Sequence, residues 1–180
     1  MERKTRLAFF LLQGGKLPPQ AIRRGELSTP TPAACDIRPA RPSDAERLFE
    51  VRQRAILELA VPDLSTRQAH DWAMRRDLAW MNDVISTKEL WVASIDNFVT
   101  GWVGVQAQRV IGLYVDPAYA RRGIGSRLLA FAEDQLLRRG ARIVELETSW
   151  NAEGFYRRRG YQPTAERPAD EARPMEKLLE

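Results

Sequence analysis

Val110–Gly140, VIGLYVDPAYARRGIGSRLLAFAEDQLLRRG, is the stretch whose reading decides the fold. Its first six residues, Val110 to Val115, read as a buried strand, and Asp116-Pro117 ends it. Arg121 and Arg122 lead into Gly123-Ile124-Gly125-Ser126. Ile124, Leu128, Phe131, Ala132 and Gln135/Leu136 then recur at helical spacing until Gly140 stops the run. Such a helix starts with unpaired N–H groups and the positive end of its dipole at one spot. Gly123 and Gly125 remove side chains that would keep a ligand off the backbone. The arginines stand ready for charge-assisted contacts, so the turn fits a phosphate-bearing ligand.

A glycine turn alone is ambiguous. A P-loop requires Lys and Ser/Thr after its last glycine, and here Ser126-Arg127 follows. A dinucleotide fingerprint requires a third glycine where Leu128 stands, with an acid on the next strand, a part open to Glu145 or Glu147. Three preceding strands of antiparallel type argue against that doubly wound sheet. A tight strand-to-helix connection without a ligand remains the plain alternative for an isolated Gly-x-Gly.

Working outward, 180 residues at 44% apolar and 29% charged suit one ordinary core. The net charge of +4 is almost all arginine, since the 28 basic residues include only Lys4, Lys16, Lys88 and Lys177 as lysine. That charge is weak support for nucleic-acid binding. A single cysteine, Cys35, excludes an internal disulfide, and with the lone His70 it leaves no transition-metal cluster. No apolar run is long enough for a membrane span, which favours the cytoplasm. Residues 1–35 have linker composition, with LAFFLL too short for a secretory core, and read as a disordered extension.

Within 36–180, Asp36–Ala40 fits a first strand, and Ser43-Asp44-Ala45-Glu46 a capping box. The helix behind it carries Leu48, Val51, Ala55 and Leu59 on one face and ends at Pro62. Ser65-Thr66-Arg67-Gln68 opens a second helix, and Leu78–Ile85 forms a third piece. Strands are expected over 90–95, 99–106 and 110–115 as an antiparallel meander. A strand over 142–148, reached through a helix, should pair in parallel with Val110–Val115. A short helix over Ala152–Arg159, a strand from Tyr161 and a last one over Met175–Leu179 complete a mixed α/β (α+β) sheet.

YVDPAYARRGIGSRLL resembles the coenzyme A-binding segment of the GNAT N-acetyltransferase superfamily, whose pattern is Q/R-x-x-G-x-G/A after a strand ending V-x-P. Val115-Asp116-Pro117, Gly123 and Gly125 match; Ala120 stands where the pattern has Q/R. Asn151-Ala152-Glu153-Gly154-Phe155-Tyr156, with Gly160-Tyr161, is similar to the family's later N-A-x-x-F-Y-x-x-x-G-F/Y helix. The resemblance covers residues 36–180. It implies the GNAT acyl-CoA N-acyltransferase fold, a mixed central sheet with a splayed parallel strand pair flanked by helices.

It further implies acetyl-CoA as co-substrate, no metal, and direct attack by an amine in a ternary complex. Backbone groups of Leu113, Tyr114 and Val115 would meet the pantetheine and polarise the thioester. Arg121, Arg122, Gly123, Ile124, Gly125 and Ser126 would hold the pyrophosphate. Tyr156 would be the general acid toward the departing thiolate, its phenol pKa near 10 being close to a thiol's. Asn151 either caps its helix or binds the pantetheine arm. No base is assigned, because Val110–Val115 carries no carboxylate, Asp116 reads as a turn former, and Glu145 and Glu147 read as a solvated face. Trp72 and Trp80 fall where the family builds its acceptor pocket, and His70 reads as a surface side chain. The expected partner is a small-molecule amine rather than nucleic acid or a membrane, with a homodimer left open. A CoA-binding sensor with the same fold and little turnover is the alternative.

Overall fold

The structure is a computed structural model that describes residues 35–60, 65–165 and 172–180. Nearly all of the expected N-terminal extension, and the Pro62 stop, lie outside those residues. Cys35 is already buried against the main core, and its carbonyl accepts from Arg127 Nη2 at 2.7 Å.

The elements are β1 (Asp36–Pro39), a 3-10 turn (Pro42–Asp44), α1 (Ala45–Leu59), α2 (Thr66–Met74) and α3 (Leu78–Thr87). The meander β2 (Glu89–Ile95), β3 (Phe98–Gln106) and β4 (Arg109–Val115) follows, then a 3-10 turn (Pro117–Tyr119) and α4 (Ile124–Arg138). The chain closes with β5 (Ile143–Thr148), α5 (Trp150–Arg157), β6 (Gln162–Pro163) and β7 (Arg173–Leu178). One seven-stranded sheet runs β1-β2-β3-β4-β5-β7-β6, antiparallel except for β4 and β5. Asp96 and Asn97, with φ of 50° and 63°, form the two-residue β2–β3 turn that the right-handed twist of a hairpin favours.

Both faces of the sheet are covered at its centre. Leu128, Leu129, Ala132 and Leu136 of α4 pack on Val103, Val105, Val144 and Leu146. On the other face, Leu48 and Val51 of α1 and Met81 and Val84 of α3 pack on Val92 and Trp102. Trp102 Nε1 donates to the Leu48 carbonyl at 3.0 Å, giving a buried donor its partner. No helix among the described residues is long and apolar enough to cross a membrane.

Local differences from the sequence reading have physical causes. Ser43 is not the cap of α1, because the chain first makes a 3-10 turn. Asp44 holds the N-cap position of α1 without a side-chain cap bond; its carboxylate instead accepts the Arg41 N–H at 2.7 Å and the Nη1 and Nη2 groups of Arg38 at 2.8 and 2.9 Å. That pairing holds its carboxyl below the usual range, against the opposing effect of burial. The Ser65 box forms as expected, with Ser65 Oγ accepting from the Gln68 N–H. Leu59 is 38% exposed, while Arg52 and Ile56 are buried, so the inward face of α1 is rotated at its end. The helix after β5 begins at Trp150 rather than Ala152.

The feature that positions the site is a fork. β5 pairs with β7 along its whole length, from Ile143↔Leu178 to Thr148↔Arg173. With β4 it shares only Arg109↔Glu145 and Val110↔Leu146. Between β3 and β4, Gly104 faces Gly112 and Val105 faces Val110, which leaves Ile111 as an extra residue. A bulge of this kind bends its strand and increases the local twist. β4 therefore leaves β5 directly after Val110, and its unpaired edge faces a cleft.

Candidate active site

The cleft at the fork has a volume of about 250 Å³. One wall is β4 from Gly112 to Val115 with Gly125, Phe155 and Tyr156; the other is Ala55, Ile56, Leu59 and Ala60 of α1 with Trp72 of α2. Glu147, Thr148 and Ser149 continue β5 along its edge. Leu113, Tyr114 and Val115, at the centre of a seven-stranded sheet, are only half-buried because nothing pairs with their β5-facing side. Leu113 and Val115 lean on the α4 core, and Tyr114 turns to the opposite face, 4.9 Å from the Trp102 ring. Burial raises the pKa of the Tyr114 hydroxyl, with Arg52 opposing the shift.

The turn ahead of α4 stands at the open end of that edge. Gly123 has φ +79° and Arg121 φ +62°; the left-handed region is natural for the first and strained for the second. No side chain caps α4, so its first N–H groups face outward beside the exposed Arg121, Arg122 and Gly123. Ile124 is buried in the core and reaches this turn only through its backbone. A Cβ on Gly125 would meet Val115 and Phe155 at an ordinary 3.5 and 3.6 Å, so its missing side chain keeps the cleft open rather than relieving a clash. Ser126 Oγ accepts a short bond from Arg159 Nη2. Arg159 also donates to the Phe155 carbonyl at 2.7 Å and lies 3.7 Å from that ring's centroid. Burial, then the neighbouring Arg158, lowers the pKa of Arg159. It joins α5 to the glycine turn, a link the sequence did not reveal.

Tyr156 is 7% exposed, edge-on to Phe155 at 5.0 Å and to Tyr161 at 5.5 Å. Its hydroxyl has no hydrogen-bond partner among the described residues, although the side chain borders the cleft. Burial pushes its pKa well above the ordinary value near 10, with Tyr114 adding to the shift and Arg159 opposing it. The expectation of a phenol close to a thiol in acidity is thereby corrected. Such a hydroxyl keeps its proton at neutral pH and is available as a hydrogen-bond donor.

Asn151 does not cap its helix. Ser149 holds the N-cap position without a side-chain cap bond, and its Oγ donates to Asn151 Oδ1 at 2.6 Å. Asn151 Nδ2 donates to the Leu59 carbonyl at 3.1 Å, fastening α5 to the end of α1 across the cleft. Asp116 is more than a turn former. It is fully buried, its Oδ1 accepts the Ala118 N–H at 2.9 Å, and its Oδ2 accepts from Arg47 at 2.5 Å and Arg54 at 2.8 Å. Trp72 lines the cleft, but Trp80 packs in the α1–α3 core under the guanidinium groups of Arg52 and Arg76. His70 is exposed beside Asp71. Glu145 accepts from Gln108, while Glu147 lines the cleft and pairs with Arg109 Nη2 at 2.6 Å. Among the described residues, no group of His, Cys, Asp or Glu could hold a metal ion.

A strand fork beside an uncapped helix start, with a protonated phenol in the same cleft, can be compared with known proteins. Residues 86–163 match the family model described as the acetyltransferase (GNAT) domain. That stretch of the chain is similar to a GNAT acetyltransferase domain. Over 126 residues it is 29% identical to the uncharacterized N-acetyltransferase YafP of Escherichia coli K12, covering 70% of this chain and 80% of that one. A GCN5-related N-acetyltransferase from Rhodopseudomonas palustris superposes on this chain with a TM-score of 0.77 at 26% identity, over 81% of this chain and 96% of the other. The PaiA N-acetyltransferase of Thermoplasma acidophilum, solved in complex with coenzyme A, has the same fold at a TM-score of 0.70 and 22% identity, over 81% and 99% of the two chains.

Proposed function

We propose that this protein transfers the acetyl group of acetyl-CoA to a small-molecule amine by direct attack in a ternary complex. The observation that carries this reading is the unpaired β4 edge running from the Ile111 bulge to the uncapped start of α4, with Tyr156 beside it. Backbone groups of Leu113, Tyr114 and Val115 serve an extended pantetheine arm as a missing strand would. Gly123, Gly125 and Ser126 offer N–H groups to the pyrophosphate, Ile124 adds its backbone, and Arg121 and Arg122 add charge. Asn151 stands at the mouth of the cleft, able to exchange the Leu59 carbonyl for the arm. Ala120 removes one expected side-chain contact, and Arg159, held at Ser126, supplies positive charge nearby. Acetyl-CoA supplies an activated acyl group on a thiolate leaving group; the Tyr156 hydroxyl donates its hydrogen bond to the sulfur as negative charge develops there.

Thiol release from acetyl-CoA with a panel of amines tests this. Tyr156→Phe should lower kcat on the order of 100-fold and leave the KM for acetyl-CoA nearly unchanged. Tight CoA binding without turnover on any amine would instead identify a CoA-binding sensor, and the absence of CoA binding would sink both readings.

A further inference from the structure

The acceptor side of the cleft has its own chemistry. Its walls are Ile56, Leu59, Ala60, Trp72 and Ile111, with Glu147 as the one carboxylate among the described lining residues. Glu147 is the first residue of β5 beyond its last pairing with β4, Val110↔Leu146, so it stands where the fork opens. Alternation along β5 buries Val144 and Leu146 under α4 and turns Glu145 and Glu147 to the opposite face, the side of Tyr114 and α1. The partner of Glu147 is Arg109, and with exposures of 57% and 43% this pair is screened by water and weak. A carboxylate has about four acceptor sites, so an ammonium can join without displacing the arginine.

Apart from Arg109, which is taken up by Glu147, the cations near this wall face elsewhere. The buried Arg52 donates to the carbonyls of Ala73 and Trp72 at 2.9 and 3.2 Å, and Arg76 lies over the Trp80 ring. Neither lines the cleft. A carboxylate on the acceptor would find no lining cation among the described residues and would meet Glu147.

Resting on the acetyl-transfer reading above, we propose that the acceptor is an apolar primary amine without a neighbouring carboxylate. Its ammonium is held by Glu147, and its tail lies on Ile56, Leu59 and Trp72. The ammonium gives one proton to Glu147, directly or through a water, and the neutral nitrogen then attacks the thioester carbon. The C–N bond forms as the C–S bond breaks. The departing sulfur is held by the hydrogen bond from the Tyr156 hydroxyl and takes up the second proton that the nitrogen sheds. The balance is one N-acetylated amine, one free thiol and one proton passed to solvent.

The test uses the full chain with acetyl-CoA and a matched pair of acceptors, 2-phenylethylamine and phenylalanine, with 2-phenylethanol as an uncharged competitor. The amine should exceed the amino acid in kcat/KM by ~10-fold or more, the scale of one charge-assisted hydrogen bond. Glu147→Gln should cut kcat/KM for the amine ~10- to 100-fold and move its pH profile upward, toward the pH at which the amine is free of its proton. Binding of CoA by calorimetry and inhibition by 2-phenylethanol should not change in that variant, which separates loss of the charge from loss of the fold. Equal or better use of phenylalanine, an unaffected Glu147→Gln, or CoA binding with no amine acetylated would overturn the proposal while leaving CoA recognition intact. Failure to bind CoA at all would overturn this inference together with the reading beneath it.

Discussion

Gly112 to Val115 and Gly125 bring most of the donor wall of the cleft from one piece of chain, completed by Phe155 and Tyr156, whereas Ala55, Ile56, Leu59 and Ala60, Trp72, and Glu147 reach the other side from three separate elements. The matched family segment, 86–163, contains the whole of β4, α4 and Tyr156 and leaves α1 and α2 outside it. A wall built from a strand, a glycine turn and a helix start depends on local backbone geometry, so its residue types are narrowly constrained. A wall built from the apolar side chains of two helices needs only volume and shape, which many sequences supply. The donor half can therefore stay constant while the acceptor half changes. Two contacts keep the halves in register: Asp116 with Arg47 and Arg54 of α1, and Asn151 with the Leu59 carbonyl.

The largest effect should come from breaking the first of these contacts. Asp116→Ala leaves two arginines around an empty site and should destabilise the domain by about 3–5 kcal/mol, read from urea unfolding. Both walls should fail together, with each substrate's KM rising in whatever folded fraction remains. Next come changes confined to one wall. Gly125→Val places methyl groups in the donor half and should raise the KM for acetyl-CoA ~10- to 100-fold with little change in melting temperature. Trp72→Ala should raise the KM for the amine about 10-fold and spare that for acetyl-CoA, in initial-rate measurements at saturating co-substrate. If either substitution moved both constants equally, the division into two walls would be wrong.

A smaller effect is expected at the second contact. Asn151→Ala removes two side-chain hydrogen bonds at an exposed position, together worth about 1–2 kcal/mol, and should show as faster amide exchange in the first turn of α5. The smallest concerns neither wall. Asp44 is held below the usual carboxylate range by Arg38, so its contribution is complete above the unfolded value of about 4 and disappears as pH falls through the lower folded value. Asp44→Asn should therefore flatten the acid limb of melting temperature against pH and leave catalysis at neutral pH unchanged.

The same contrast explains what was legible in the sequence. Val110–Val115, the glycine turn and α4 announce themselves through period and punctuation, and the Tyr156 helix through its pattern of neighbours. The meander was visible in strand-like runs separated by Asp96-Asn97 and Ala107-Gln108. What escaped depends on residues far apart in the chain. Nothing local distinguishes Arg47 and Arg54 from other arginines of α1; only the fold brings them to Asp116. Arg159 reads as one of three consecutive arginines, yet it alone reaches Ser126. The bulge at Ile111 has no composition signal, because it is a property of the pairing with Gly104 and Val105. The buried state of Tyr156, which changes its acid chemistry, depends on packing against Phe155 and Tyr161.

The position of β7 bears on how the chain is made. Arg173–Leu178 is the last strand in sequence but lies inside the sheet, between β5 and β6. A ribosome therefore delivers this interior strand after both of the strands that flank it. Until it docks, all six residues of β5 on that side lack a partner, and β5 is held to the rest of the sheet by only two paired positions. Lys177, which anchors Glu133 of α4 at 2.7 Å, is also missing from the nascent domain. An unfinished chain thus carries an open strand edge, the kind of surface that pairs with other chains. Removing Arg173–Leu178 would not shave the sheet's border but would hollow out its middle.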